Sequence, residues 1–366
     1  MRSTVPVARR NILADRRRLV MSTLGVGLAV ALILLLEGLW AGVRAGITAY
    51  PDRVGASLFV REPGMMVLTE GAVPLTAAAT IRAIPGVQRA DPVIAKFVIL
   101  DLHATKEPVS VIGFQPGALG GPWQITAGRT VRSDGEIVLD RSLAADHGIR
   151  VGNTLTVQGQ PLRVVGLSAR TRTFIGGGFV FMPLSTAGRL FGESSTATFV
   201  LVRTSDPATV RAAIRARTGL AADLPASVAA EERAVYAGSL GRIFNLMIVI
   251  AFAAGTLIVA LTVYSAIVER LREYGIAKAM GARRLRLFRI VAGQTLLLAA
   301  AGTVLGFALY AAGSWLLVTA RPQFPSSLTP AVAGGVIAAA AAMALLAAIL
   351  PTRQVARLDP ASVYRG

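Results

Sequence analysis

The chain has 366 residues, a formal net charge of +18, a mean hydropathy of +0.60 and no cysteine. The missing cysteines exclude disulfides and thiolate metal sites, and two histidines, His103 and His147, are too few for a zinc site. None of the three lysines, Lys96, Lys106 and Lys278, follows a glycine, so no phosphate loop of the Walker type exists, and neither HExxH nor GxSxG occurs.

Residues 1–18 carry six Arg and one Asp. Arg16, Arg17 and Arg18 stand directly before the first apolar run, Leu19–Val43, where they serve orientation and lipid contact. That run exceeds the ~7–15 residues of a signal-peptide core and lacks a convincing cleavage site before Tyr50, so it reads as a retained anchor. Its helical pattern continues to about Ala49, where Pro51 is expected to stop it.

Segment 44–242 reads as a mixed α/β domain. Ala56–Val60 suits a strand, and Pro74–Val87 a helix stopped by Pro85-Gly86. Extended runs follow at Pro92–Leu102 and Pro108–Phe114. Glu136–Ile149 reads as strand, short helix and turn, with Asp134, Glu136, Asp140 and His147 assigned to turns and solvated faces. TLTVQGQPLRVVGL alternates as a hairpin around Gly159. The glycines at 176–178 read as a flexible loop, and Gly178–Gly192 as strand then helix. TFVLVRTSDPATVRAAIRARTG predicts a strand followed by a helix with Asp206 as cap and Pro207 at its first position. The order β-α-β, a β-rich insertion, then β-α predicts a discontinuous subdomain closing around a smaller one. No carboxylate pair has His or Ser support, so an enzyme active site is unpersuasive here.

From about Ala229 a helical pattern, opening AAEERAVYAGSLGRIF with Glu231 and Glu232 among its polar residues, continues through the second apolar block, Ile243–Val268. Some forty residues at ~1.5 Å each make a stalk of roughly 60 Å, twice the ~30 Å hydrocarbon thickness. A lever and a fixed spacer both fit that length, and Gly241 is a place where it breaks if it breaks at all. Two more blocks of spanning length follow, Phe288–Ala320, which contains Gly302 and Gly306 in GxxxG spacing, and Pro330–Leu350. Glu37 is the ionisable exception within the spans and is expected at the interface.

Between the second and third blocks lies ERLREYGIAKAMGARRLRLFR, with seven basic and two acidic residues over 269–289. Glu269 and Glu273 share a helix face, Ile276, Ala279 and Met280 form a short apolar stripe, and Gly275 and Gly281 permit a sharp turn. An apolar knob for a partner's groove and an amphipathic turn lying on lipid fit these residues equally. Basic residues concentrate in short cytoplasmic segments, which puts both termini and 269–289 inside and 44–242 outside. No basic patch interleaved with aromatics marks nucleic-acid binding.

The run ERLREYGIAKAMGARR resembles the signature E-R-x-x-E-(I/Y)-G-I-x-(K/R)-A-x-G-A of the MacB/FtsX-like permeases, the type VII ABC transporter superfamily. The resemblance extends to ARRNILADRRRL, IRAIPGV, EIVLDRSLAADHGIRVGNTL, LRVVGL and the tail LPTRQVARLDPASVYRG. A four-span permease without fused ATPase, of the DevC-like or lipoprotein-releasing type, is similar in layout. The resemblance implies a membrane protein with a four-span α-helical region and an extracytoplasmic mixed α/β domain, porter-like with an inserted small α/β subdomain. It further implies a dimer with a second permease copy or homologue, each seated in a cognate ABC ATPase subunit that holds ATP and magnesium. The residues that would dock there are Glu269, Arg270, Glu273, Tyr274, Gly275, Ile276, Lys278, Ala279, Gly281 and Ala282. Among them Glu269, Glu273 and Lys278 would make polar contacts, Tyr274 and Ile276 would fill the groove, and the glycines would set the turn.

The expected layout is therefore a cytoplasmic segment at 1–18, a first transmembrane and stalk helix at 19–49, and an outer domain at 50–228 with its insertion at about 115–192. A second stalk helix at 229–268, a coupling segment at 269–287, and a third span at 288–320 follow. An outer loop at 321–329, a fourth span at 330–350 and a cytoplasmic tail at 351–366 complete it. The expected function is ATPase-driven export or extraction of a lipid, lipoprotein, peptide or drug from a cell membrane, with an adaptor or external effector as possible partner. The alternative is a mechanotransmitter that moves no substrate and controls an external cell-wall hydrolase or sensor.

Overall fold

The computed structural model describes residues 16–102, 105–173, 177–268, 284–320 and 328–357. In chain order, helices α1 (Arg16–Ile47) and α2 (Ala49–Arg53) lead into β1 (Leu58–Arg61), β2 (Val73–Pro74), α3 (Leu75–Arg82), β3 (Val87–Leu102) and β4 (Thr105–Phe114). Then come β5 (Ile125–Gly128), β6 (Glu136–Asp140), α4 (Arg141–Asp146), β7 (Thr154–Val157), β8 (Gln160–Ser168), β9 (Arg172–Thr173), β10 (Gly177–Pro183) and α5 (Leu184–Phe191). The chain continues through β11 (Thr196–Ala197), β12 (Phe199–Thr204), α6 (Pro207–Thr218), β13 (Ala221–Asp223), α7 (Pro225–Val268), α8 (Arg284–Ala320) and α9 (Pro330–Arg357). Contacts divide it into two compact units, the α/β domain Gly42–Gly241 and the unit of apolar helices.

Four helical stretches are long and apolar enough to span a bilayer: Thr23–Ile47, Leu240–Ser265, Thr295–Leu317 and Pro330–Ile349. The first is the most enclosed, with Val26, Val30, Ile33 and Leu34 of α1 buried against residues of α7, α8 and α9. Lipid offers no hydrophobic drive between helices, so close backbone approach at small residues has to hold such a bundle. The GxxxG pair does this: a Cβ on Gly302 would come within 2.5 Å of Val26 Cγ1, and one on Gly306 within 2.6 Å of Val30 Cγ1. On α7, Gly255 accommodates Ala29 of α1 and Met343 of α9 in the same way. The outward faces of α7 and α8 carry exposed Leu246, Val249, Ile250, Leu261, Val304 and Leu316, as a lipid-facing surface requires. Glu37, expected at the interface, is half-buried along α1.

Proline does not end the first helix. The break comes at Thr48, and Pro51 sits inside the short helix α2, where a residue of the first turn has no intrahelical N–H bond to lose.

In the domain, β1-α3-β3 and β12-α6-β13 are two βαβ units whose strands lie in the order β13-β1-β12-β3, the split-βαβ arrangement. Helices α3 and α6 cover one face through Ile81, Ile84, Val210 and Ile214, packed on Leu58, Val60, Val200 and Val202. Local chemistry sets α6 as expected: the Asp206 side chain accepts from the Thr209 N–H at 3.2 Å, Pro207 opens the helix and Gly219 caps it at φ 71°. The insertion begins earlier than 115. Strand β3 pairs with β12 up to Val93 and with β4 from Ile94 onward. At the handover the Thr198 hydroxyl takes the Ala95 N–H at 2.9 Å and donates to the Ala95 carbonyl at 3.3 Å. One strand thus belongs to both subdomains, an arrangement that no composition shift marks.

The insertion continues as β4-β10-β6-β8 around a second core that includes Leu100, Ile137, Leu139, Leu143 and Val180. The hairpin β7-β8 turns on Gln158 and Gly159, both at positive φ, as a type I′ turn demands. Two sequence expectations fail here. Gly177 and Gly178 belong to β10, and a Cβ on Gly177 would lie 1.7 Å from the Pro108 carbonyl oxygen, so glycine serves close strand packing. Asp140, expected on a solvated face, is 1% exposed and caps α4, accepting from the N–H groups of Ser142 and Leu143 and from the Thr171 hydroxyl.

Gly302→Val should force α1 and α8 apart and destabilise the helical unit by about 1–3 kcal/mol, the usual cost of overpacking. Gly335→Ala, whose Cβ would meet nothing within 4 Å, should be neutral or slightly stabilising. Thermal unfolding of the detergent-solubilised protein compares the two.

Candidate functional site

The docking residues Glu269, Arg270, Glu273, Tyr274, Gly275, Ile276, Lys278, Ala279, Gly281 and Ala282 lie outside the described residues. Arg16, Arg17 and Arg18 are the first residues of α1. Among the described residues no group of three or more His, Asp or Glu stands in metal-holding geometry. His147 caps the C-terminus of α4, with Nε2 3.3 Å from Glu107 Oε1.

The described residues bring together a different constellation, on the sheet face opposite α3 and α6. Here α2 and the first turns of α7 enter the domain. Tyr50 of α2 is buried among Trp123, Phe179 and Phe199, with ring centroids 6.4, 5.9 and 6.1 Å away, and its hydroxyl donates to the Gly120 carbonyl at 3.2 Å. Aromatic pairs of this geometry contribute roughly 0.5–1.5 kcal/mol each beyond burial. Burial raises the Tyr50 pKa, so the phenol stays neutral. Arg53, one turn on, lies 5.8 Å over the Trp123 ring and donates to the Arg170 carbonyl at 3.0 Å.

The second anchor is ionic. Arg61 ends β1, paired in the sheet with Ala221 of β13, and is only 4% exposed. Its Nε donates to Asp223 Oδ2 at 3.0 Å, its Nη1 to the Met65 carbonyl and its Nη2 to Glu231 of α7. Burial acts to lower the guanidinium pKa, but the hydrogen bonds to Glu231 and Asp223 outweigh it and the pKa is raised. Arg211 of α6 adds a second cation to Asp223 at 3.3 Å.

Glu232, the next residue, is 7% exposed and accepts from the Leu68 N–H at 3.1 Å. Burial pushes its pKa up to about 7, against the lowering influences of the Leu68 hydrogen bond and Arg61. It lines a cavity of about 70 Å³ with Tyr50, Leu68, Phe179, Phe199 and Tyr236.

Sequence reasoning read Glu231 and Glu232 only as polar residues of a helical pattern. A pair of glutamates opening an apolar helix was the available signal, but nothing local names Arg61 and Leu68 as their partners. Chemically the constellation is an anchor: two helix ends are fixed into one domain by rings and by a shared guanidinium. It holds no nucleophile–base pair.

Arg61→Leu should lower the domain's stability by about 3–5 kcal/mol, because Asp223 and Glu231 then lose their common cation. Thermal denaturation at neutral pH measures it, and Arg215→Leu, an exposed neighbour, serves as the comparison.

The family model of the MacB-like periplasmic core domain matches residues 19–218, and that of the FtsX-like permease C-terminal region matches residues 245–360. An uncharacterized ABC transporter permease of Mycobacterium tuberculosis (strain H37Rv) is 25% identical over 368 residues, covering 98% of this chain and 99% of that protein. The macrolide export ATP-binding/permease protein MacB of Chromobacterium violaceum is 28% identical over 245 residues, 61% of this chain and 37% of that protein. The periplasmic region of MacB from Actinobacillus actinomycetemcomitans shares 15% identity over 47% of this chain and 89% of that one, with a TM-score of 0.37. With the first family model covering over half of its residues and the second most of the remainder, the chain belongs to the MacB/FtsX-like family of ABC transporter permeases.

Proposed function

We propose that the chain is a permease subunit through which motion generated by a separate ATPase reaches the extracytoplasmic domain, there to export or extract a lipid, lipoprotein, peptide or drug. One observation carries this reading: α7 is a single helix of 44 residues. Its first turns hold the domain-anchoring Glu231 and Glu232, its middle is the apolar span Leu240–Ser265, and in sequence its end is followed by the coupling segment at 269–287. At ~1.5 Å per residue it measures roughly 66 Å. A continuous helix is the kind of element that can carry a push or tilt from one end to the other.

The ATPase is a different polypeptide on this reading. None of the three lysines of this chain follows a glycine, so these residues hold no phosphate loop. ATP and magnesium then belong to that partner, and both termini of this chain face the cytoplasm, where short basic segments collect. The permease works as a pair, with a second copy or a homologue. In this reading Glu269, Glu273 and Lys278 make polar contacts with the ATPase, Tyr274 and Ile276 fill its groove, Gly275 and Gly281 set the turn, and Arg270, Ala279 and Ala282 belong to the same docking motif.

Two substitutions separate docking from transmission. Glu273→Lys should abolish co-purification of the cognate ATPase and its stimulated ATP hydrolysis. Gly238→Pro, in the exposed stretch of α7 ahead of the span, breaks the helix at a cost of about 3 kcal/mol. It should leave ATPase binding intact and remove the ATP-dependent change in hydrogen exchange around Arg61. Unchanged behaviour of both variants would overturn the reading.

A further inference from the structure

Two adjacent carboxylates at the start of α7 have opposite surroundings. Glu231 is 45% exposed and ion-paired to Arg61, whereas Glu232 is 7% exposed and forms part of the wall of the small aromatic cavity. On the domain side it accepts from the N–H of Leu68 at 3.1 Å. Leu68 belongs to residues 62–72, which connect β1 to β2 without helix or strand of their own. The Leu68 side chain is buried in a core that includes Val228 of α7, and two polar bonds add to that packing, from Arg61 to the Met65 carbonyl and from the Leu68 N–H to Glu232.

We propose that Glu232 is a proton-binding site: protonated, it stays in the cavity and seats Leu68 against α7, and ionised, it leaves the cavity and frees the 62–72 segment. External acidity then sets how tightly this segment holds the helix. The proposal stands on the domain alone and requires no ATPase.

Few groups compete for control of that proton. Arg61 of β1 favours the carboxylate, but its guanidinium is already engaged by Asp223, Glu231 and the Met65 carbonyl. Tyr50 of α2 and Tyr236 of α7 line the cavity, and Tyr236 is itself raised, by burial first and then by Glu232 and Glu70. Strands β3, β4, β10 and β12 present Ala95, Ser110, Ile112, Phe179 and Phe199, none of which ionises. Leaving water for this cavity penalises the charged form.

The direction of the pH effect follows from the raised pKa. The folded domain holds the proton more tightly than the unfolded chain does, whose glutamate titrates at about 4.5. The contribution is complete below that value and is lost as the pH rises through about 7.

Hydrogen exchange at the Leu68 amide, corrected for the intrinsic effect of pH, tests this in the full-length chain in lipid nanodiscs. Protection should fall by about tenfold between roughly pH 5.5 and 8.5. Glu232→Gln, which keeps the shape and the acceptor but cannot ionise, should hold its protection across the range. Glu62→Gln, in the same segment, should follow the wild-type profile. A flat wild-type profile overturns the proposal whether or not the variants fold, as does a Glu232→Gln profile as steep as the wild type.

Discussion

A single buried guanidinium fixes the geometry on which the domain's other contacts depend. Arg61 draws together the end of β1, the end of β13, the 62–72 segment and the first turns of α7. Taking an arginine out of water is costly, and the cost is offset only because two carboxylates and a carbonyl meet its donors in the fork geometry that a guanidinium presents. The result is directional. Hydrophobic packing alone would let α7 slide or rotate on the sheet face, while this set of bonds specifies one register. Tyr50 does the corresponding work for the chain leaving α1, by shape and ring packing in place of charge.

The two compact units solve the packing problem by different physics. In the domain, large side chains interdigitate: Phe59, Phe114, Phe181 and Phe199 are among the largest fully buried residues. Among the apolar helices Val and Ala make up most of the buried core, and glycines on α7 and α8 let the helices approach, because lipid is as apolar as any side chain and close approach gains dispersion. Long α7 takes part in both regimes, polar-anchored at its start and apolar over Leu240–Ser265.

Much of this was legible in the residues. The four spans follow from hydropathy, and α6 follows from Asp206, Pro207 and Gly219 acting within one turn of themselves. The β7-β8 hairpin follows from Gln158-Gly159 between alternating strands. What escaped was set by distant partners. Gly177 and Gly178 look like a loop until Pro108 is placed beside them, and Asp140 looks solvated until Thr171 closes over it. Strand β3 shows no seam where it passes from one subdomain to the other, because a backbone ladder carries no side-chain signature of which strand it pairs with.

The residues by themselves determined that the chain crosses a membrane, carries an α/β domain between its first two spans and has no phosphate loop, since apolar runs, caps and turn residues act over a few positions. Only the tertiary structure decided that Glu231 meets Arg61, 170 positions away, while its neighbour Glu232 turns into an aromatic cavity. One residue of offset on a helix is a rotation of about 100°, and which side of that rotation is water and which is protein is settled by the packing of strands remote in sequence.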